Sequence, residues 1–284
     1  MFTVSTMTSD DVKSMMDLIR EERWNPGIHD ADIFLKVNPE GLFCGKLNGQ
    51  TIAFSSALII DDTFAFFGLY LVKTAYRGYG YGMELTRHRL SYVGKRCIGL
   101  DGVKNNVDLY ARIGFSPAWN NIRFSVLSAQ SMQSLSNRDP QPIRPLSDIL
   151  YSQILAFDHH YFPAHRQNFL KFWINQPDSV ALGFTQNGSL QGYLIIRPCL
   201  TGAKIGPWLA VSPDIAEQLL LAGIQQMNCY PVYIDMPDIN KKGIQLAKKL
   251  QLNHTPFTTV RMYRHTPRAV DTSGIYGITS LETG

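Results

Sequence analysis

The sequence has few cysteines and no apolar run long enough to cross a bilayer. Its four cysteines stand far apart and form no C-x-x-C pair, which excludes the usual zinc and redox spacings and predicts reduced thiols. The longest apolar runs, near residues 51–60 and 64–72, are too short for a membrane span. Residues 1–10 are polar and are followed by acids, which is not typical of a signal peptide. We therefore expect a soluble, cytoplasmic protein with no membrane partner.

Charged side chains are also scarce, at 18% of 284 residues, against about a quarter in an average protein. The net charge is only +4, and no block of five or more basic residues occurs, so nucleic acid is not an expected partner. Apolar residues reach 45% and aromatic residues 11%, which excludes a disordered chain and is enough to build apolar cores. At about 100–200 residues per domain, the length predicts two domains.

The order of patterns in the first half predicts an α/β protein with a mixed sheet. Thr8 begins a helix whose apolar residues recur at helical spacing. Asn48-Gly49 joins two apolar runs, which is the strongest local sign of a hairpin, and Phe64–Val72 adds a third strand. A glycine-rich loop then leads into a helix, and Asn106 begins another helix before the last strands.

The second half repeats this order, which is the sign of a duplicated domain. The corresponding positions are Asn187-Gly188 with Asn48-Gly49, Asp235 with Asp101, Asn240 with Asn106, and Arg261 with Arg123. We predict domains at residues 1–127 and 146–266, joined by a polar, proline-containing linker at residues 128–145. Residues 267–284 are expected to form a frayed C-terminal tail.

Residues 77–82 read Arg-Gly-Tyr-Gly-Tyr-Gly between an apolar strand and a helix. Glycines let the backbone approach a ligand closely, and the unpaired amides and dipole of a helix N-terminus attract phosphate. A Walker loop is excluded because no Lys-Ser/Thr pair follows the glycines. A dinucleotide fingerprint is disfavoured because its third glycine would fall at Met83 and because a meander precedes the loop. An accidental glycine-rich turn is a further alternative.

Val72, Arg77, Gly78, Gly80 and Gly82 form a V-x-x-x-x-R-G-x-G-x-G pattern. This pattern resembles the acetyl-CoA loop of the GNAT N-acetyltransferase superfamily. A second signature of that family, L-Y-x-x-x-G-F, is matched by residues 109–115 in the right order, and the resemblance covers residues 3–127. Two signatures together are more specific than either alone.

The second half is similar to the C-terminal partner of a tandem GNAT subfamily, the YitH-like acetyltransferases. Its loop at residues 210–216 has neither arginine nor glycine, and Asp214 puts negative charge where a pyrophosphate would bind. The resemblance therefore implies a tandem GNAT fold with a mixed sheet, in which the second domain is degenerate and does not bind CoA in the same way.

The resemblance also implies an N-acetyltransferase that passes an acetyl group from acetyl-CoA, its cosubstrate, directly to an amine acceptor. Tyr110 would protonate the departing thiolate, and the alternative for this residue is a packed core aromatic. The residues implied to bind acetyl-CoA are Leu71, Val72, Arg77, Gly78, Tyr79, Gly80, Tyr81, Gly82 and Asn106. A non-catalytic acyl-CoA-binding or regulatory protein is the alternative function.

The acceptor side of the site is less defined. In the resembling folds the first two helices of a domain cover the acceptor, so Asp158 and Arg166 are expected to contact it, with a mutual ion pair as the alternative. Asp158-His159-His160 with His165 lacks the usual spacing of a metal site, so no metal is expected. The candidates for a general base are Glu21, Glu22, His29, Asp61, Asp62 and Asp158. The identity of the acceptor and the oligomeric state stay open.

Overall fold

The computed structural model describes residues 1–22, 24–128 and 142–284, which form one mixed sheet of 13 strands with helices packed on it. The strands are β1 (Phe2–Thr6), β2 (Leu42–Leu47), β3 (Gln50–Ile59), β4 (Phe64–Val72), β5 (Cys97–Val103), β6 (Ser116–Val126), β7 (Ile143–Pro145), β8 (Val180–Gln186), β9 (Ser189–Pro198), β10 (Ala203–Ala210), β11 (Val232–Pro237), β12 (Asn253–Arg264) and β13 (Ile275–Gly277). The helices are α1 (Ser9–Glu21), α2 (Asp30–Val37), α3 (Tyr81–Val93), α4 (Val107–Arg112), α5 (Tyr151–His159), α6 (Gln167–Trp173), α7 (Pro213–Met227) and α8 (Lys241–Lys249). The predicted α/β class with a mixed sheet is confirmed.

The first half begins with a capped helix and an antiparallel meander. The Thr8 hydroxyl accepts a hydrogen bond from the Asp11 amide at 3.2 Å, and the Asp11 carboxylate accepts one from the Thr8 amide at 3.0 Å, which fixes the start of α1. Asn48 and Gly49 have φ of +50° and +84°, as a two-residue hairpin turn between β2 and β3 requires. Strands β1 to β4 are antiparallel neighbours, and β5 joins β4 in parallel.

The second half has the same order of elements. Asn187 and Gly188 form the turn between β8 and β9, again with positive φ, +51° and +77°. Strand β10 follows antiparallel to β9, and α7 leads to β11, which is parallel to β10. The structure therefore has the internal repeat that the sequence predicts.

The two halves exchange their last strands. Strand β12 of the second half lies between β5 and β6, and β6 of the first half lies between β12 and β11. Arg261 of β12 holds Asp101 of β5 by two hydrogen bonds of 2.7 and 2.8 Å. The corresponding pair, Arg123 of β6 and Asp235 of β11, has two of 2.8 Å. The predicted domain boundaries follow chain order, whereas the sheet interleaves strands of both halves.

Residues 267–284 do not form the frayed tail expected from the sequence. Strand β13 pairs with β10, and residues 274–280 are buried. The physical reason is that Ile275, Tyr276 and Ile278 pack into the apolar cores where β10 and β11 diverge. The predicted linker at residues 128–145 lies largely outside the described residues, and its end forms β7, which pairs with β8.

Candidate active site

Strands β4 and β5 pair in parallel only as far as Phe67 and Leu100. Just beyond that point β4 bulges, because Leu69 has φ of +47° and the register against β3 shifts between Phe54 and Ser56. A bulge bends its strand and re-aims the backbone. Past the bulge β4 and β5 diverge, and a cavity of about 190 Å³ lies between them.

Both halves of the chain line this cavity. The first half provides residues of the two diverging strands, of α4 and of the segment after α1, and the second half adds β10, β12 and the segment after β13. The lining residues are Trp24, Asn25, Gly68, Leu69, Tyr70, Asp101, Gly102, Val103, Asn106, Tyr110, Arg123, Lys204, Phe257, Thr259, Leu281 and Glu282. Aromatic rings beside a few polar and charged groups are typical of a site for a small organic ligand.

The glycine loop leaves a run of free amides at the N-terminus of α3. In the described part of the chain, the amides of residues 78–82 donate to no backbone carbonyl and to no side chain. Gly78 and Gly80 each have φ of +87°, and no atom lies within 4 Å of the place where a Cβ would stand. At Gly82 a Cβ would collide with the Tyr70 hydroxyl. Free amides at a helix N-terminus can hold a phosphate group.

Arg77 holds the loop rather than extending from it. Its Nε donates to the Val72 carbonyl at 2.8 Å, and its guanidinium forms a salt bridge with Glu22 just after α1. Tyr79 is exposed, and its ring lies 6.3 Å from that of Tyr81. Arg77 is therefore anchored at two of its nitrogen atoms, and the backbone amides of the loop stay unbonded among the described residues.

The β4 residues that line the cavity are not the two that the sequence predicts to bind acetyl-CoA. Leu71 is buried in an apolar core, and Val72 packs against another. Leu69 and Tyr70 line the cavity instead, because the bulge turns this part of β4 towards β5. The sequence of β4 is otherwise apolar and aromatic, and Gly68, directly before Leu69, is the local sign of a bulge or of a close backbone approach.

Tyr110 on α4 lines the cavity, and its hydroxyl forms no hydrogen bond with a described residue. Its ring packs edge-on against Phe115, with centroids 6.1 Å apart. Burial raises the pKa of Tyr110, and the charge of Arg89 offsets part of that rise. A raised pKa keeps the hydroxyl protonated at neutral pH, as a proton donor requires.

Arg89 on α3 is a buried cation without an acidic partner among the described residues; it is 1% exposed. Its guanidinium lies 4.3 Å from the centroid of Phe67 and 4.7 Å from that of Tyr70. It donates to the Thr86 hydroxyl at 3.2 Å, and its Nε has no hydrogen-bond partner. Burial lowers the pKa of Arg89 to about 10. A buried charge without an acidic partner is unfavourable for stability, and the two aromatic faces and the Thr86 hydroxyl offset part of that cost.

Asn106 lies just before α4 and lines the cavity. Its counterpart Asn240 lies just before α8 and donates through Nδ2 to the Ile275 carbonyl of β13 at 2.9 Å. Strand β13 lies where β10 and β11 diverge, which is the position that corresponds to the cavity in the first half. Asn240 thus illustrates, within the same chain, how an asparagine at this position holds an amide carbonyl.

The cleft of the second half is filled by the chain itself. Trp208 and Leu209 of β10 pair with β13, and the Ile278 amide donates to the Asp235 carbonyl of β11 at 2.9 Å. The helix that follows β10 is already capped, since the Ser212 hydroxyl accepts from the third residue of α7 and α7 begins with proline. These contacts agree with the expectation of a degenerate second domain.

Asp158 and Arg166 do not line the cavity, so the predicted contact with an acceptor is corrected to a structural role. Arg166 donates to both carboxylate oxygens of Asp158 at 2.8 and 2.6 Å, and each side chain is 2% exposed. Tyr193 also donates to Asp158, and Arg166 donates to the Thr279 hydroxyl at 2.6 Å. The two buried charges therefore neutralise each other. Through its bond to Thr279, Arg166 also holds the segment after β13 in place.

The six candidate bases named from the sequence do not line the cavity either. Glu22 pairs with Arg77, and Asp61 accepts from the amides of Thr63 and Phe64 in the turn before β4. Two carboxylate residues line the cavity, and they are Asp101 and Glu282. The sequence has no signal for Glu282, because its place depends on how residues 275–284 pack between the halves.

Within the described residues, no group of three or more His, Cys, Asp or Glu side chains is positioned to hold a metal ion. His159 and His165 stack on each other, with ring centroids 3.8 Å apart. No described helix is long and apolar enough to span a membrane.

The fold, the diverging strands and the glycine loop define an acyltransferase of the GNAT class. A family model described as Acetyltransferase (GNAT) family matches residues 10–115, and one described as Acetyltransferase (GNAT) domain matches residues 154–277. The chain belongs to the GNAT acetyltransferases and carries one copy in each half, as its motifs predict.

Several known proteins are similar to this chain. Holothin acyltransferase of Pseudoalteromonas sp. (strain SANK 73390) is 26% identical over 264 residues, or 93% of this chain and 88% of the relative. The uncharacterized N-acetyltransferase YitH of Bacillus subtilis (strain 168) is 25% identical over 234 residues, or 80% and 79%. A structure from Pyrococcus horikoshii, provisionally assigned as an acetyltransferase, has a TM-score of 0.84 at 22% identity and coverage of 100% and 96%. A tandem GNAT protein from the clavulanic acid biosynthesis pathway has a TM-score of 0.67 at 12% identity and coverage of 93% and 98%.

Proposed function

We propose that this protein is an N-acyltransferase that transfers an acetyl group from acetyl-CoA to an amine acceptor. The observation that carries the proposal is the presence of two features in one half: the free amides of residues 78–82 and the cavity between β4 and β5 that contains Tyr110. The amides suit a pyrophosphate, and the cavity suits a thioester and an acceptor. Acetyl-CoA, as cosubstrate, would supply the activated acyl group.

Each part of the site then has a task. The loop amides of residues 78–82 bind the pyrophosphate by charge-assisted hydrogen bonds. Asn106 donates to an amide carbonyl of the pantetheine arm, as Asn240 does to β13. Among the described residues, no strand pairs with the β4 backbone past Phe67 on its β5 side, and this backbone orients the thioester carbonyl. Tyr110 gives its proton to sulfur as the carbon–sulfur bond breaks.

The two halves divide the work unequally in this proposal. Residues 1–127 bind the cosubstrate, and residues 146–266 form a degenerate partner that closes the acceptor side through Lys204 and Phe257. Trp24 and Phe257 favour an acceptor with an apolar part. Acyl transfer is also the activity named for the relative from Pseudoalteromonas. Four cysteines without disulfides fit the proposed cytoplasmic location.

Isothermal titration should give one acetyl-CoA per chain, and Gly80→Val should weaken binding at least ~10-fold, because valine at φ of +87° costs about 1–3 kcal/mol of strain in the loop. Gly49→Val is the matched control, since Gly49 has φ of +84° and open space in a hairpin and does not line the cavity. Two acetyl-CoA per chain, or equal binding by both variants, would contradict the proposed site. CoA binding without thiol release across an amine panel would favour the non-catalytic alternative.

Arg89→Met should lower kcat and move the alkaline limb of the kcat profile to higher pH. The positive charge of Arg89 favours the tyrosinate and so lowers the pKa of Tyr110; without that charge the pKa of Tyr110 rises and the hydroxyl becomes a weaker acid. Arg89→Lys keeps the charge and should retain most of the wild-type profile. An alkaline limb that stays in place in Arg89→Met would separate Arg89 from the proton transfer.

A further inference from the structure

We propose that Glu282 is the general base of the reaction and takes the proton of the acceptor amine. The inference rests on the proposed acyl transfer and assigns the role of base to a residue of the cavity wall, where none of the bases named from the sequence lies. Four observations support it: the place of Glu282 at the diverging strands, its lack of a partner, the charges around it, and the contacts that fix its segment.

The backbone of Glu282 lies against β4 at the point where β4 and β5 part. A Cβ on Gly68 would stand 2.7 Å from the Glu282 carbonyl oxygen and 2.9 Å from its Cα, so glycine at position 68 permits this approach. Glu282 and Tyr110 line the same cavity. An acid for the leaving sulfur and a base for the attacking nitrogen act around one carbon, so they must share one cavity.

Glu282 is a buried carboxylate that has no cationic partner in the described part of the chain. It is 7% exposed, and its Oε2 has no hydrogen-bond partner among the described residues. The other carboxylates that are buried in the described part of the chain each pair with a cationic side chain: Asp11 with Lys46, Asp30 with Arg197, Asp101 with Arg261, Asp158 with Arg166, Glu217 with Lys249 and Asp235 with Arg123. Buried polar groups are almost always satisfied, so the exception at a cavity wall indicates a missing partner such as a bound amine.

The charges around Glu282 favour a neutral amine. Lys204 lines the cavity, is 6% exposed and forms no salt bridge with any residue that the structure describes. Burial and the charge of Arg123 lower the pKa of Lys204, while the charge of Glu282 raises it. Two cations in the wall disfavour a further ammonium ion beside them. An acceptor amine that enters this cavity therefore gives up its proton readily, and Glu282 is placed to take it.

The segment that carries Glu282 is fixed by ion pairs of the interface between the halves. Arg166, held by Asp158, donates to the Thr279 hydroxyl at 2.6 Å. Arg197 donates to the Thr279 carbonyl at 3.4 Å, and the Glu282 amide donates to the Ser280 hydroxyl at 3.2 Å. A general base needs such a defined position.

The proposed step balances in atoms and charge. The amine nitrogen forms a bond to the acyl carbon while the carbon–sulfur bond breaks and its electron pair goes to sulfur. Before that attack, the Glu282 carboxylate takes a proton from the ammonium form of the acceptor and passes it to solvent. As the amide forms, nitrogen gives a second proton to solvent, sulfur takes the Tyr110 proton and Tyr110 regains one from solvent, which leaves an amide and a free thiol.

The test is Glu282→Gln, assayed by CoA release at saturating acetyl-CoA with paired alkyl- and arylamines, for example benzylamine and aniline. An alkylammonium must lose a proton before attack, whereas aniline is neutral at assay pH. We expect kcat/KM for the alkylamine to fall by about 10²–10⁴-fold and that for the arylamine to fall much less. Acetyl-CoA binding, measured by calorimetry, should stay at the wild-type level. Glu217→Gln, the same change at another buried carboxylate, should retain wild-type rates.

Two results would overturn the assignment while leaving acyl transfer in place. One is a wild-type rate for Glu282→Gln with the alkylamine. The other is an equal loss of rate with both amines, because an equal loss would mean that Glu282 has a structural role. If Glu282→Gln does not fold, Glu282→Asp replaces it, and equal losses with both amines would again exclude a base. Failure of the wild-type protein to acylate any amine of the panel would overturn the proposed amine acceptor and, with it, the base.

Discussion

Tyr110→Phe should lower kcat for acyl transfer by about 10²–10⁴-fold and leave the Kd of acetyl-CoA unchanged. The change removes one oxygen from a ring that still packs against Phe115, so the fold and the cavity wall stay in place. Only the proton for the departing sulfur is lost, and it is needed in the transition state rather than in the bound complex. Single-turnover rates and calorimetric titration separate the two effects.

Tyr92→Phe is the control for this prediction. Tyr92 is on α3, its hydroxyl accepts from the Asn38 side chain at 2.9 Å, and it does not line the cavity. Its loss should leave kcat close to the wild-type value. An unchanged kcat in Tyr110→Phe would instead make Tyr110 a packed core aromatic.

Arg261→Met should destabilise the whole molecule by about 3–5 kcal/mol, because it leaves Asp101 buried without its cation. Burial raises the pKa of Asp101, and Arg261 offsets part of that rise. Without Arg261 the pKa rises further in the folded state, above that of the unfolded chain, so the folded variant is most stable at low pH and loses stability as pH rises. Urea unfolding at pH 5 and pH 7 should show the larger deficit at pH 7.

Arg264→Met makes the same change on the same strand, at a residue without a salt bridge among the described residues. It should leave stability within about 0.5 kcal/mol of wild type, as surface changes usually do. Because β12 lies inside the first half, a single transition should report the loss of both halves in Arg261→Met. Two separate transitions would contradict the coupling of the halves through this pair.

Sequence reasoning located those parts of the fold and of the candidate site in which one residue type meets one local requirement. Gly78 and Gly80 stand where φ is positive, and Asn48-Gly49 forms the turn that its sequence favours. Tyr110 and Asn106 lie near the ends of a helix whose start and stop signals are local, and both line the cavity. Such requirements involve only a few neighbouring residues, so the local sequence indicates them.

The parts that sequence reasoning did not locate depend on distant packing. The alternation of apolar and polar residues in β6 and β12 predicts a strand but not its neighbour in the sheet. The local sequence therefore does not distinguish exchange of the last strands from pairing within each half. Gly68 in β4 is a sign of a bulge or of a close backbone approach, but the positive φ belongs to the next residue, Leu69, a residue type that does not indicate it. Glu282 becomes a cavity residue only because β13 fills the cleft of the second half and leads the following segment to Gly68.

The exchanged strands also bear on how the molecule is made. Asp101 on β5 and Arg261 on β12 are 160 positions apart, so at ~5–20 residues per second β5 emerges roughly 10–30 s before the strand it finally pairs with. Throughout that interval one edge of the first sheet lacks its final partner, and unpaired edges recruit other strands. Strand β6 follows β5 after only a short helix, and it is the nearest strand able to cover that edge until β12 is synthesised. If β6 covers the edge first, the nascent protein has to exchange it for β12 before the cavity is complete.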